Sequence, residues 1–258
     1  MLIETHCHLE YLKAQPLEEL RLQARQAGIT KIITIGVDPE NLDKVFEMAK
    51  SCEEVYFTQG IHPHDSKLAG EIEYGKITSR ASHPKMVAVG EIGLDYHYNN
   101  SSPEIQRKVF EEQLELACLS KLPVVIHTRD ADEDTKSILR NFLPKLNKRG
   151  VLHSFTSGQA LAEWALSEGF YLGFNGIITF KKAEAVQAIV NLTPTNQILF
   201  ETDSPFLTPV PHRGKENAPH YLPFIAEKVA ELKSMNVQEL KKIVYENSIN
   251  CFSKLANS

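Results

Sequence analysis

Pro123-Val124-Val125-Ile126-His127 is a strand-length apolar run that ends on an imidazole. Unbroken β-branched residues suit a strand covered on both faces, as in a parallel sheet flanked by helices. Upstream, Ser102-Pro103 supplies an N-cap and a first-turn proline. Beyond it, Ile105, Val109, Phe110, Leu114, Leu116 and Ala117 share one half of a helical wheel, with Glu104, Lys108, Glu111 and Glu115 opposite. Downstream, Gly150-Val151-Leu152-His153 repeats the strand that ends on histidine.

The same alternation runs through the chain. Strands are predicted over Leu2–Thr5, Lys31–Gly36, Val55–Gly60, Met86–Glu91, Pro123–His127, Gly150–His153, Phe170–Phe174 and Gln197–Thr202. Repeated βα units of this kind point to an α/β (β/α)8 TIM barrel, and roughly 250 residues is its usual size. Two further helices, from about Tyr221 to Ser234 and from about Val237 to Leu255, follow a proline-rich loop from Ser204-Pro205 to Pro219. The second is an additional C-terminal helix whose stripe Leu240, Ile243, Val244, Cys251, Leu255 contains Asn247, read as a hydrogen-bonded core amide. No linker or repeat divides the chain, so residues 1–258 are expected to form a single barrel domain.

Composition narrows the function. The chain has 42% hydrophobic and 24% charged residues, and no apolar run approaches the roughly 18 residues of a membrane span. Met1 leads straight into Leu2-Ile3-Glu4 without an export signal, so a cytoplasmic location is expected, and no unexplained apolar stripe argues against a monomer. Cys7, Cys52, Cys118 and Cys251 are widely spaced, which fits reduced thiols and leaves metal binding to nitrogen and oxygen. A net charge of −5 disfavours a broad basic surface for sequence-specific DNA binding. It leaves room for an enzyme that grips a few phosphates through cations and local Arg or Lys.

The chemistry-bearing residues sit at the predicted strand ends. His6 and His8, two apart, can face one side of the first strand. Glu91 follows Met86-Val87-Ala88-Val89-Gly90, where an unpaired buried carboxylate would cost several kcal/mol and a cation is an available partner. With His127, His153 and Asp203 these six form a set suited to divalent cations. Glu201 is the rival of Asp203, expected to point away from the lumen or lie deeper. His62, His64 and Arg129 overhang the same rim as candidate phosphate contacts, although Arg129 could instead pair with Asp95 or Asp130. Arg213 and Lys215 in the last loop could meet a nucleic-acid backbone, and Tyr96 or Phe206 could stack on a base.

These motifs resemble the TatD family of metal-dependent deoxyribonucleases, within the amidohydrolase-like barrels, over nearly the whole chain. The resemblance rests on Glu4-Thr5-His6-Cys7-His8-Leu9, Gly60-Ile61-His62-Pro63-His64, Gly90-Glu91-Ile92-Gly93-Leu94-Asp95-Tyr96, Ile126-His127-Thr128-Arg129-Asp130-Ala131, Leu152-His153-Ser154-Phe155-Thr156-Ser157-Gly158 and Glu201-Thr202-Asp203-Ser204-Pro205-Phe206. Pro211-His212-Arg213-Gly214-Lys215-Glu216-Asn217 is similar to the family's loop after the eighth strand. One departure is Glu4, where the family usually places aspartate.

The resemblance implies His6, His8, Glu91, His127, His153 and Asp203 as metal ligands for two divalent cations, Mg, Mn or Zn. It implies Glu91 as the bridging carboxylate and Asp203 as the group that orients or deprotonates the attacking water. It further implies exonucleolytic hydrolysis of DNA. The same site chemistry also suits an ester or amide hydrolase such as an aminoacyl-tRNA deacylase.

Overall fold

The computed structural model describes residues 1–98 and 100–257. Its strands are β1 Leu2–Cys7, β2 Ile29–Gly36, β3 Val55–Gln59, β4 Met86–Asp95, β5 Val124–Arg129, β6 Gly150–Leu152, β7 Tyr171–Phe174 and β8 Ile198–Phe200. Between and after them lie α1 Leu17–Gln26, α2 Leu42–Ser51, α3 Glu71–Arg80, α4 Pro103–Ser120, α5 Asp132–Phe142, α6 Gln159–Ser167, α7 Glu184–Leu192, α8 Leu222–Lys233 and α9 Val237–Cys251. Each strand pairs in parallel with the next in sequence order, β1 through β8. The ends meet where Asp203 N–H donates to His6 O at 2.9 Å and His8 N–H donates to Ser204 O at 2.8 Å. Thr5 Oγ1 donates to Phe200 O at 2.9 Å, and Glu4 Oε1 accepts from Thr202 N at 3.0 Å, so side chains of β1 complete the seam. The result is the expected (β/α)8 barrel.

One buried cluster contains Ile3, Ile33, Tyr56, Val87, Val125, Val151 and Leu199, drawn from strands all around the ring, and is therefore the barrel interior. Cys251, Phe252 and Leu255 join it, so the C-terminal segment plugs the end opposite the histidines. Asn247 anchors α9 by donating from Nδ2 to Thr195 O at 2.8 Å and Ile198 O at 2.9 Å, as a core amide should.

Strands β1, β2, β4 and β5 each run past an expected boundary, and β1 and β4 carry a bulge. On β1, Glu4 pairs with Ile32 but Cys7 with Thr34, so β1 spends one more residue than β2. On β4, Val89 pairs with Val124 but Ile92 with Ile126. An extra residue resets the alternation of faces. Val89, Ile92 and Leu94 consequently all pack toward the helices, while Glu91 between them turns into the lumen. On an unbulged strand Glu91 would share the outward face of Val89. Gly90 permits the close approach involved, because a Cβ there would lie 2.6 Å from Val125 Cβ.

The amphipathic helix α4 differs from its wheel in one respect. Ile105 is 40% exposed, whereas Gln106 and Gln113 are buried on the barrel side.

Candidate metal centre

Side chains from β1, β3, β4, β5, β6 and β8 meet at the C-terminal mouth, the end where the loops after the strands converge. Glu91 stands at the middle. Its Oε1 lies 2.7 Å from His153 Nε2, 2.9 Å from His127 Nδ1 and 3.3 Å from His62 Nε2, while Oε2 lies 3.4 Å from His6 Nε2. Burial pushes this carboxyl up, but His153, His62 and His127 outweigh it and hold Glu91 well below the usual range. Across the mouth, Asp203 Oδ1 lies 3.7 Å from His6 Nε2 and 3.6 Å from His8 Nε2. The same balance, burial opposed by His8, His6 and His153, keeps Asp203 ionised.

Asp203 takes a left-handed φ of 55°, a conformation Asp tolerates better than most residues, and its N–H is tied to β1. Glu201, two residues earlier, lies deeper. It is fully buried, its Oε1 accepts from Ser154 N at 2.5 Å and stands 3.7 Å from His153 Nδ1, and it occupies space that a side chain on Gly173 would fill. It therefore faces the lumen rather than away from it.

Among the described residues, three groups of donors have ligand atoms within 4.8 Å of one another: His6, His8 and Asp203; His62, Glu91 and His127; and His6, His153 and Glu201. Several atoms in them, including both ring nitrogens of His6, His8 Nδ1, His153 Nδ1 and Glu201 Oε2, are buried without a hydrogen-bond partner. A buried polar atom left unsatisfied costs about 1–3 kcal/mol. So many at one spot, nitrogen and carboxylate oxygen together, fit a divalent cation.

Asp95 holds the next layer. Its Oδ1 accepts from His97 N and Tyr98 N, both at 3.0 Å, and its Oδ2 lies 2.9 Å from His127 Nε2 and 3.1 Å from His64 Nε2. Burial would raise this carboxyl, but His127 and His64 hold it far below the usual range, so it is an acceptor. His127 then donates from Nε2 and turns the Nδ1 lone pair toward Glu91. With a lone pair facing a carboxylate at 2.9 Å, a proton or cation is required between them.

Two buried glutamines of α4 clamp the loops that carry these groups. Gln106 Oε1 accepts from Asp95 N at 2.8 Å and Gln113 Oε1 accepts from Ile61 N at 2.6 Å, each returning a bond from Nε2 to the same residue's carbonyl. None of Asp95, Gln106 and Gln113 stands out in the sequence as a positioning group. The available signal was the presence of both glutamines on the apolar stripe of α4.

A family model described as TatD related DNase matches residues 3–253. The chain belongs to this family. Among similar proteins, an uncharacterized metal-dependent hydrolase, YabD, of Bacillus subtilis (strain 168) is 38% identical over 253 residues, covering 98% of this chain and 99% of the relative. A 3'-5' ssDNA/RNA exonuclease TatD of Cronobacter turicensis is 33% identical over 246 residues, covering 93% of each. The crystal structure of the TatD homolog YJJV from Escherichia coli K12 superposes with a TM-score of 0.91 at 28% identity, covering 98% of both chains.

In this TatD-family chain the outer candidates divide. His62 and His64 both line the cleft, His62 accepting from His64 N at Nδ1 and keeping Nε2 toward Glu91; burial pushes the His62 imidazole down to about 4. Arg129 is exposed and its guanidinium forms an ion pair with neither Asp95 nor Asp130; it lies 5.0 Å from the Tyr98 ring centre, and Asp130 meets His97 instead. Tyr96 is scaffold, its hydroxyl bonded to Asp134 at 2.7 Å and Arg107 at 3.2 Å. Phe206 borders the cleft. Arg213 does not reach it and lies over the Phe180 ring, while Lys215 lines a separate depression beside Gln15 and His220.

Among the described residues, no helix is long and apolar enough to cross a membrane.

Proposed function

We propose that the chain is a metal-dependent phosphodiesterase that removes nucleotides from DNA ends. The observation that carries this is the position of Glu91, shared by His6, His62, His127 and His153 and facing the Asp203 group across one mouth. The exonuclease name of the Cronobacter turicensis relative supports a nucleic-acid substrate.

His6, His8, Glu91, His127, His153 and Asp203 are the groups that would hold about two divalent cations (Mg, Mn or Zn), which supply an acidified water and countercharge for an anionic phosphoryl group. Asp203 is the proton acceptor in this reading. Its Oδ1 is engaged by His6 and His8, and its side chain is 14% exposed, so Oδ2 is the oxygen that takes a proton from the attacking water. Glu91, buried on every side, orients imidazoles and links His62, His127 and His153 through Oε1 to His6 through Oε2. His62, His64 and Arg129 face the phosphate, and the planar guanidinium suits two of its oxygens.

The test is hydrolysis by stripped and reconstituted protein of labelled single- and double-stranded DNA and of an aminoacyl ester, with and without chelator. Cation-dependent release of nucleotides is expected. Cleavage of the aminoacyl ester alone would move the site to acyl chemistry.

A further inference from the structure

Of the large hydrophobic side chains more than a third exposed among the described residues, only two are aromatic, and both border the cation cleft. Tyr98 is 47% exposed and Phe206 is 53% exposed. Tyr98 follows β4 and Phe206 follows β8, strands that stand opposite each other in a closed ring of eight. The rings therefore rise from facing walls of a cleft of about 580 Å3.

The backbone beneath each ring is tied to a carboxylate residue of the centre. Tyr98 N–H donates to Asp95 Oδ1 at 3.0 Å, and Phe206 N–H donates to Asp203 O at 2.9 Å. Asn217 Nδ2 also donates to Phe206 O, which fixes the loop after β8. The ring edges are set by imidazoles: Tyr98 meets His64 at 5.4 Å and 89°, and Phe206 meets His8 at 6.2 Å and 68°. Arg129 adds a cation against Tyr98. About half of each ring stays open to the cleft despite these contacts, and a flat π-surface beside a phosphate site is what an unpaired nucleobase stacks on.

Resting on the phosphodiesterase reading, we propose that Tyr98 and Phe206 are two base-stacking platforms on either side of the scissile phosphate. The nucleotides flanking the cut bond are then unpaired, one base on each ring. In a duplex those faces are covered by the neighbouring base pairs, so its end must fray before it enters. Base–aromatic stacking contributes about 1–3 kcal/mol per base, equivalent to roughly fivefold to 150-fold in kcat/KM.

The test is a cycle between protein and substrate using cation-loaded enzyme and a single-stranded oligothymidylate. Thymine on one side of the cut bond, then the other, is replaced by 5,6-dihydrothymine, which keeps the backbone and base edges but loses the flat aromatic face. Wild type should lose at least fivefold in kcat/KM for each replacement. Phe206→Ala should become indifferent on one side and stay sensitive on the other, Tyr98→Ala should show the reverse, and Phe206→Tyr and Tyr98→Phe should retain wild-type sensitivity. Hydrolysis in which both alanine variants keep the full sensitivity, or in which wild type ignores the replacement, overturns the platforms alone. Failure of wild type to cut any oligonucleotide overturns the phosphodiesterase reading and the platforms with it.

Discussion

The imidazoles of His6, from β1, and His153, just past β6, stack with centroids 3.9 Å apart and planes within 5° of parallel. Both reach Glu91, and burial lowers the affinity of His6 for a proton, as does the charge of His153. Stacked rings this close cannot both carry charge cheaply, and cation ligands must be neutral imidazoles.

At His153 burial is outweighed by the Glu91 and Glu201 carboxylates, which raise its affinity for a proton, so cation affinity should fall as pH drops from about 8 to about 5.5, with protons released on binding. Calorimetry in two buffers of different ionisation enthalpy measures both. Affinity independent of pH would contradict imidazole ligation.

Replacing Glu91 by Gln or Asp203 by Asn should reduce turnover by about a thousandfold or more, since several kcal/mol of transition-state stabilisation is lost. The fold should persist, as read by circular dichroism. Full activity of Asp203→Asn would remove the proton-acceptor role from that residue.

Asp95→Asn should weaken cation affinity by about 10- to 100-fold without abolishing it, because His127 loses the carboxylate that fixes its Nε2 proton. A binding isotherm for the variant decides this. Unchanged affinity would reduce Asp95 to a loop anchor for His97 and Tyr98.

Away from the site, Arg21 grips Glu54 with two bonds of 3.1 and 2.8 Å between side chains 12% and 14% exposed. Burial pushes the Glu54 carboxyl up, but Arg21 outweighs it and the net shift is down from 4.5. A depressed folded pKa gives stability that is present above 4.5 and lost as pH falls through the folded value. Glu54→Gln should thus lower stability near neutral pH by about 1–3 kcal/mol, with the gap closing in acid. Urea midpoints at pH 7 and pH 3 check it; a constant gap would place the effect in packing.

Much of the fold was legible because runs such as Val124-Val125-Ile126 leave few alternatives to a covered strand. The extent of β4 was not. The strand is predicted to end at Glu91, whereas Ile92–Asp95 stay paired to Ile126–Arg129 and carry Asp95 to the site. The grouping of His6, His8, Glu91, His127, His153 and Asp203 could be anticipated from strand ends alone, since such ends converge in a barrel. Gln106 and Gln113 were opaque because their role lies in contacts to Asp95 and Ile61 that no helical period encodes. Arg213 lies in a loop without periodicity, so its place on Phe180 had no signature in the sequence.

The central claim is that these imidazoles and carboxylates hold cations in common. Equilibrium dialysis of chelator-stripped protein against Mn or Zn, followed by elemental analysis, tests it most directly. About two cations per chain should be retained by wild type and fewer by Glu91→Gln. No retention by wild type, or equal retention by the variant, would contradict it.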